Sequence, residues 1–239
     1  MTNRYIEHII EPKRLLLCWQ SGSKRFRHIV AELVDNNGSV DLKYLIDTTD
    51  YKNAVADGFK GYPAYPIENG QLFKNVLGIF MRRLPPRSRK DFHIFLDSIR
   101  IKSDTAISDF ALLGYSGGKL PDDDFFFIHP FEDADDKFEL LTMIQGLRRY
   151  PSAVKLIEDN LLTTDSDVKF IREPENKFDP QAIAIYFENT KLGYIGRGLL
   201  SSFHSWLGDN RIKVAFIERI NGSIDHRKVY IFVKVDKKM

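Results

Sequence analysis

Runs of alternating and continuous apolar residues, interrupted by polar turns, predict a chain rich in short strands with helices set between them. Leu15 to Gln20 is an apolar run that reads as a strand, and Arg27 to Leu33 and Val40 to Ile46 read as two more. A basic turn, Lys24-Arg25-Phe26-Arg27, joins the first two, and Asn36-Asn37-Gly38 turns the second into the third. Two prolines and two glycines between Gly58 and Pro66 prevent regular structure there. Beyond Asn69-Gly70 the period changes. Leu72, Phe73, Val76, Leu77, Phe80 and Met81 recur at helical spacing, which predicts a helix from about Gln71 to Arg83, ended by Pro85-Pro86. A second helix is expected over Ser88 to Ile99, a third over Ile107 to Leu113, and a strand over Phe125 to His129. The expected layout is a small sheet with a helical cluster inserted before its last strand.

The following stretch is richer in strands. Phe138 to Gln145, Val168 to Ile171, Ala182 to Phe187 and Leu192 to Ile195 read as strands, with helices over Ser152 to Asn160 and Leu199 to Leu207. Arg211 to Ile220 and Lys228 to Val235 make a hairpin, in which Val229, Ile231, Val233 and Val235 alternate inward. The predicted class is therefore α+β, with the N-terminal sheet followed by a compact C-terminal β-barrel of OB or SH3-like type carrying one or two short helices. The acidic run Phe131 to Asp136 lies between two strand-like segments and reads as a solvated linker, dividing the chain into 1–134 and 135–239.

Composition adds limits. With 239 residues, 43% hydrophobic and 13% aromatic, both parts can bury a core. A net charge of +2 produces no strong whole-protein field, so any nucleic-acid contact must come from a local patch. The single cysteine, Cys18, sits in an apolar strand and has no internal partner, which fits a buried thiol in a reducing compartment. No apolar run approaches the roughly 20 residues that span a bilayer. The N-terminus also lacks the layout of a signal peptide, so a soluble, cytoplasmic protein without membrane contact is expected.

Catalytic signatures are not found. The six histidines are scattered without cysteine partners, and the aspartate runs lack a glycine-turn calcium loop, so no metal and no cofactor are expected. Gly114 to Gly118 lacks the Lys-Ser/Thr ending of a phosphate loop and reads as a turn. Gly193 to Gly198 has no βαβ unit after it. A non-enzymatic protein is expected. The densest basic run, Arg82-Arg83 and Arg87 to Lys90, reads either as solvated helix ends or as a contact for nucleic acid or an acidic partner.

Two clusters carry more chemistry than a connection needs. Arg148, Arg149 and Tyr150 close a strand: they are either a solvated surface feature or a phosphate fork with a stacking ring beside it. The turn within Lys169 to Arg197 sets Arg172, Asn176, Phe178 and Asp179 against two prolines, Pro174 and Pro180. Asn and Asp at such a turn bond their own backbone, or accept a hydrogen bond from a terminal sugar hydroxyl while Phe178 offers a flat face to a base.

Gly146-Leu147-Arg148-Arg149-Tyr150, Arg172-Glu173-Pro174-Glu175-Asn176-Lys177-Phe178-Asp179, Ala182-Ile183 and Gly193-Tyr194-Ile195-Gly196-Arg197 together resemble the HIRAN domain family. That family is a small β-rich module whose characterised members capture the free 3′ end of single-stranded DNA. The resemblance implies that Arg148 and Tyr150 cradle a terminal base and phosphate and that Asn176 and Asp179 read the 3′-hydroxyl. It further implies that Phe178 stacks, and that Arg149, Arg172, Tyr194 and Arg197 belong to the DNA-binding set. Arg149 replaces a second aromatic, and Phe178 a tyrosine. From Leu15 to Pro130, the strand meander, Leu84-Pro85-Pro86 and Phe110-Ala111-Leu112-Leu113-Gly114 are similar to the N-terminal subdomain of HipA-type kinases, without the kinase core. This second resemblance implies a partner-binding role, with a HipA-like kinase as one partner, in a toxin-antitoxin or defence setting. An antitoxin-like subunit that binds protein and not DNA is the alternative.

Overall fold

The computed structural model describes residues 4–22, 26–132, 134–223 and 227–239. Lys24 and Arg25 of the expected basic turn, Asp133 of the acidic run and His226 lie outside the described residues. The chain forms two compact units: Ile10–Ile99 with Ala106–Phe131, and Met1–Ile9 with Arg100–Thr105 and Glu132–Met239. The change of unit at Phe131 lies near the expected division. Two short segments assigned by sequence to the N-terminal part group with the C-terminal unit, where the buried Ile6 bridges Ile101 in parallel. Single apolar residues in short segments have no periodicity to announce their partner.

In the first unit, β1 (Arg14–Gln20), β2 (Arg27–Asn36) and β3 (Ser39–Tyr44) form an antiparallel meander. Asn37 and Gly38 both have positive φ, the backbone that a tight hairpin requires and that Asn-Gly tolerates. Then follow α1 (Thr49–Ala56), the minimal hairpin β4 (Gly61–Tyr62) and β5 (Tyr65–Pro66), and β6 (Leu72–Phe73). The helical turns α2 (Leu77–Phe80), α3 (Phe92–Ser98) and α4 (Asp109–Ser116) precede β7 (Phe125–Ile128). The sheet order is β6-β3-β2-β1-β7, so the last strand closes beside the first, as the helical insertion implies.

The helix expected over Gln71 to Arg83 is the main local correction. Its first part is extended: β6 pairs with β3 through Leu42 and Phe73, and Asn75 turns the backbone at φ 54°. The buried carboxylate of Asp41 explains why. Its carboxylate receives the Asn75 N–H at 3.1 Å and the Lys74 ammonium at 2.7 Å, which a helix would carry elsewhere. Only Leu77–Phe80 is α-helical, followed by a 3-10 turn at Met81–Arg83. The helix α1 is absent from the sequence expectation because it buries only Tyr51 and Ala54, too few for a periodic signal. Thr48 caps it, its hydroxyl accepting the Tyr51 N–H at 3.2 Å.

Arg83 occupies the aromatic core of this unit. Its guanidinium donates to Asp123 at 2.6 and 2.8 Å, to the Gly118 and Phe125 carbonyls at 2.7 Å each, and to the Tyr62 hydroxyl at 3.2 Å. A buried arginine is tolerable only when its donors are satisfied in this way. Gly118 therefore serves as a turn whose carbonyl holds Arg83, and Gly117 caps α4 at φ 73°. His129 is also internal. Burial pushes its imidazole down to about 4, while its Nε2 lies 2.9 Å from the Ile10 carbonyl and its Nδ1 accepts the Phe131 N–H at 3.0 Å.

The second unit contains β8 (Phe138–Met143), α5 (Pro151–Glu158), β9 (Lys169–Arg172), β10 (Ile183–Phe187), β11 (Thr190–Tyr194), α6 (Leu200–Gly208), β12 (Ile212–Asn221) and β13 (Lys228–Val235). Its sheets run β11-β10-β9 and β12-β13-β8. Two bridges join them. Gln145 and Tyr194 exchange both backbone hydrogen bonds at 2.9 Å, linking β8 to β11. Asp167 bridges Phe216, and the Val168 N–H donates to the Ala215 carbonyl at 2.9 Å, linking β9 to β12. The strands thus close into a barrel-like ring, which removes the open edges of two small sheets. Phe203 and Trp206 of α6 are buried, with the Trp206 ring 5.2 Å from Phe138.

The expected solvated linker is anchored instead. The Ala134, Asp135 and Asp136 carbonyls accept from Nη2 of the buried Arg211 at 2.7, 3.3 and 3.2 Å. Acidic side chains signalled solvent, whereas the backbone carbonyls make the attachment. Among the described residues, no helix is long and apolar enough to cross a membrane.

Candidate functional site

The turn between β9 and β10 is built by its own polar side chains. The Asn176 Oδ1 accepts the Phe178 N–H at 3.0 Å and the Asp179 N–H at 3.2 Å, and Asp179 Oδ1 accepts the Gln181 N–H at 2.9 Å. These are Asx-type bonds, which replace backbone partners in a segment too tight for a ladder. The result places Phe178 outward, 92% exposed. Asp179 keeps its second oxygen, Oδ2, 3.9 Å from the Arg197 Nε.

Asn176 connects this turn to β11. Its Nδ2 donates to Glu173 Oε2 at 3.0 Å and to the Tyr194 hydroxyl at 3.1 Å, and that hydroxyl donates to the same Glu173 oxygen at 3.0 Å. Glu173 also forms an ion pair with Lys191. The Lys191 ammonium lies 5.8, 5.8 and 5.3 Å from the ring centroids of Tyr150, Tyr186 and Tyr194, a cage of aromatic faces around a cation.

The electrostatics follow from this closure. Burial opposes the charge on Glu173, yet Lys191, Asn176 and Tyr194 outweigh it and hold the carboxyl below its ordinary range. Burial likewise opposes the charge on Lys191, and its bonds to Glu173 and Tyr194 reverse that and raise it. Burial, reinforced by the Tyr194 hydroxyl, pushes the Tyr150 phenol up to about 12. The pair is therefore ionised, and Tyr150 neutral, across the physiological range.

Tyr150 reaches this cluster because Gly146, at φ 77°, opens a 3-10 turn at Leu147–Arg149 whose Leu147 is buried. Arg148 and Arg149 then point into solvent, and Pro151 starts α5 directly after Tyr150. The Tyr150 and Tyr194 rings stand 6.2 Å apart at 58°. Gly193 permits the approach: at φ 150° it passes so close to Gln145 that a side chain there would meet the Gln145 carbonyl oxygen and lie 2.7 Å from Ile144 Cγ2.

The fold therefore links Tyr150, Asn176, Asp179, Tyr194 and Arg197 in one chain of contacts, with Phe178 at its tip and Arg148 and Arg149 on the exposed turn beside it. Arg172 is not joined to them. Its guanidinium donates to the His204 carbonyl of α6 at 2.7 Å. Sequence reasoning missed Glu173, Lys191 and Tyr186. Glu173 and Lys191 lie on either side of β10, and two opposite charges so far apart in sequence carry no sign of pairing. In chemical terms the surface offers exposed guanidinium groups for phosphate, an exposed ring for a base and a carboxylate oxygen for a hydroxyl.

Two other clusters are internally occupied. In the basic run of the first unit, Arg83 is buried, Arg87 donates to Asp109 at 2.7 Å and to the Ile107 carbonyl at 2.8 Å, and Arg89 pairs with Asp91 at 2.6 Å. Neither reading of that run foresaw a core arginine. In the second unit, ligand-type atoms of Glu7, His8 and Glu139 lie within 4.8 Å of one another, a proximity that scattered histidines did not suggest. There Glu139 Oε2 accepts the Glu7 N–H at 2.9 Å and the His8 N–H at 3.1 Å, while Oε1 lies 3.1 Å from the His8 Nδ1.

No curated protein matches this chain. Among solved structures, a Lactobacillus plantarum protein is similar at 17% identity over 41% of this chain and 98% of its own, with a TM-score of 0.33. The HIRAN domain of human HLTF is similar at 14% identity over 41% of this chain and 76% of its own, with a TM-score of 0.30. Residues 137–236, which run from the start of β8 to the end of β13 and contain the whole cluster around Tyr194, match the HIRAN domain family.

Proposed function

We propose that the C-terminal ring binds single-stranded DNA and reads its free 3′ end, and that it does so as a binding module without catalysis. The observation that carries this reading is the HIRAN match over residues 137–236, within which the motif residues Tyr150, Asn176, Asp179, Tyr194 and Arg197 are in contact. In this reading Asp179 Oδ2 accepts the 3′-hydroxyl, and Phe178 stacks on a base. Arg148, Arg149 and Arg197 meet phosphates, and Tyr150 flanks the terminal nucleotide. Asn176 acts differently from a direct reader, because its oxygen is committed to the Phe178 and Asp179 amides. A 3′-phosphate would bring negative charge against Asp179, which favours a hydroxyl end.

The test compares affinities for a strand with a 3′-hydroxyl, the same strand with a 3′-phosphate, and a blunt duplex, each at two salt concentrations. The 3′-hydroxyl strand is expected to bind tightest. Alanine at both Asn176 and Asp179 should weaken it far more than the 3′-phosphate strand; equal loss on both would sink end recognition.

For the first unit we propose a protein-binding role, with a HipA-like kinase in a toxin-antitoxin or defence setting as the partner class that its sequence resemblance suggests. Internal pairing of Arg83, Arg87 and Arg89 favours this over a second nucleic-acid surface, since those charges are already compensated. Copurification with such a kinase, combined with no DNA binding at low salt, would favour the antitoxin-like alternative for the whole chain.

A further inference from the structure

We infer that Glu173 and Lys191 are positioning residues: their ion pair, seated among Tyr150, Tyr186 and Tyr194, clamps the Asn176 turn in the geometry that presents Phe178 and Asp179. The inference rests on the end-binding reading only for its consequence on DNA; the clamp itself is a statement about the turn.

The hydrogen bonds form a closed circuit. Glu173 precedes the turn and Lys191 lies on β11, beyond β10, so the ion pair ties the two ends of the motif across the middle strand. Glu173 Oε2 also takes Asn176 Nδ2 and the Tyr194 hydroxyl, each at 3.0 Å, and Lys191 Nζ lies 3.4 Å from that hydroxyl. The side-chain amide of Asn176 is fully engaged: both its hydrogens are taken by Glu173 and Tyr194, and its oxygen by two backbone N–H groups. Movement of Glu173 must therefore displace Asn176, and with it the amides of Phe178 and Asp179. The three rings around Lys191 fix where its ammonium sits, and Glu173 follows it. Neither charge needs to touch a ligand. Both are neutralised by each other before any ligand arrives.

Lys191→Met tests this, since it keeps an apolar stem against the tyrosines while removing the charge. Two readouts are needed: hydrogen exchange of the Phe178 and Asp179 amides, and the affinity ratio for 3′-hydroxyl over 3′-phosphate strands. The variant should speed exchange at both amides about tenfold and lower the ratio by about tenfold, the effect of losing one charge-assisted bond. Exchange in β13 should stay unchanged. Lys191→Arg should restore part of both effects, which a role in general stability would not require.

Unchanged turn exchange in Lys191→Met would overturn the clamp whatever happens with DNA. Faster turn exchange in a protein whose wild type shows no end preference would keep the clamp and remove the end-binding reading. If Lys191→Met also speeds exchange in β13, the shape-preserving Glu173→Gln decides: faster exchange confined to the turn supports the clamp, and no change overturns it.

Discussion

An aromatic side chain that is 92% exposed at the tip of a polar turn has no packing role, so removing Phe178 tests binding almost in isolation from folding. Phe178→Ala should leave the melting temperature essentially unchanged. Affinity for a single strand should fall about 5- to 150-fold, the equivalent of ~1–3 kcal/mol for one stacked base. Fluorescence anisotropy with a labelled 3′-hydroxyl strand would measure it, and an undiminished affinity would remove the stacking role. Residue type by itself did not separate such positions from their opposites. Arg83 and Arg148 look alike in sequence, yet one is enclosed by Asp123, Gly118, Phe125 and Tyr62 while the other is exposed. Asn176 shows the same limit, since its turn-building bonds and its candidate recognition role use the same atoms.

Strand closure places the site at the level of elements. The link between β8 and β11 depends on Gly193, whose φ of 150° and close approach to Gln145 exclude a side chain. Gly193→Ala should cost about 2–3 kcal/mol through overpacking and backbone strain, read as a lower urea midpoint for this unit. It should weaken DNA binding as well, because Tyr150 and Tyr194 meet across that link. A variant of wild-type stability would show that the ring tolerates opening there. Strands were legible where a run of apolar and β-branched residues is bounded by polar turns, as in β12 and β13. The Gln71–Arg83 segment was not, because its apolar spacing fits a helix while Asp41, distant in sequence, draws Lys74 and Asn75 into an extended pairing.

For the molecule as a whole, a net charge of +2 gives no general attraction to nucleic acid, so the salt response should report local contacts alone. If Arg148, Arg149 and Arg197 each meet one phosphate, log affinity against log salt should have a slope of roughly −2, at about 0.7 per contact for a single strand. Alanine at both Arg148 and Arg149 should reduce that slope to about −0.7. A slope that does not respond would move the DNA path to another surface. The association of the two short segments 4–9 and 100–105 with the ring-forming unit is also a whole-molecule property: it rests on pairings such as Ile6 with Ile101 that join residues far apart along the chain.

The amino-acid sequence by itself determined most strands, the Asn-Gly hairpin, the strand-rich C-terminal part and the motif running from Gly146 to Arg197. These depend on local spacing, turn chemistry and residue order, all written along the chain. Only the tertiary structure decided which strands join to close the expected barrel, that Arg83 is internal, that Arg172 turns to α6, and that Glu173 and Lys191 pair inside three tyrosine rings. Each of these is settled by which distant group satisfies a charge or a backbone amide, and that choice exists only once the strands have brought the groups together.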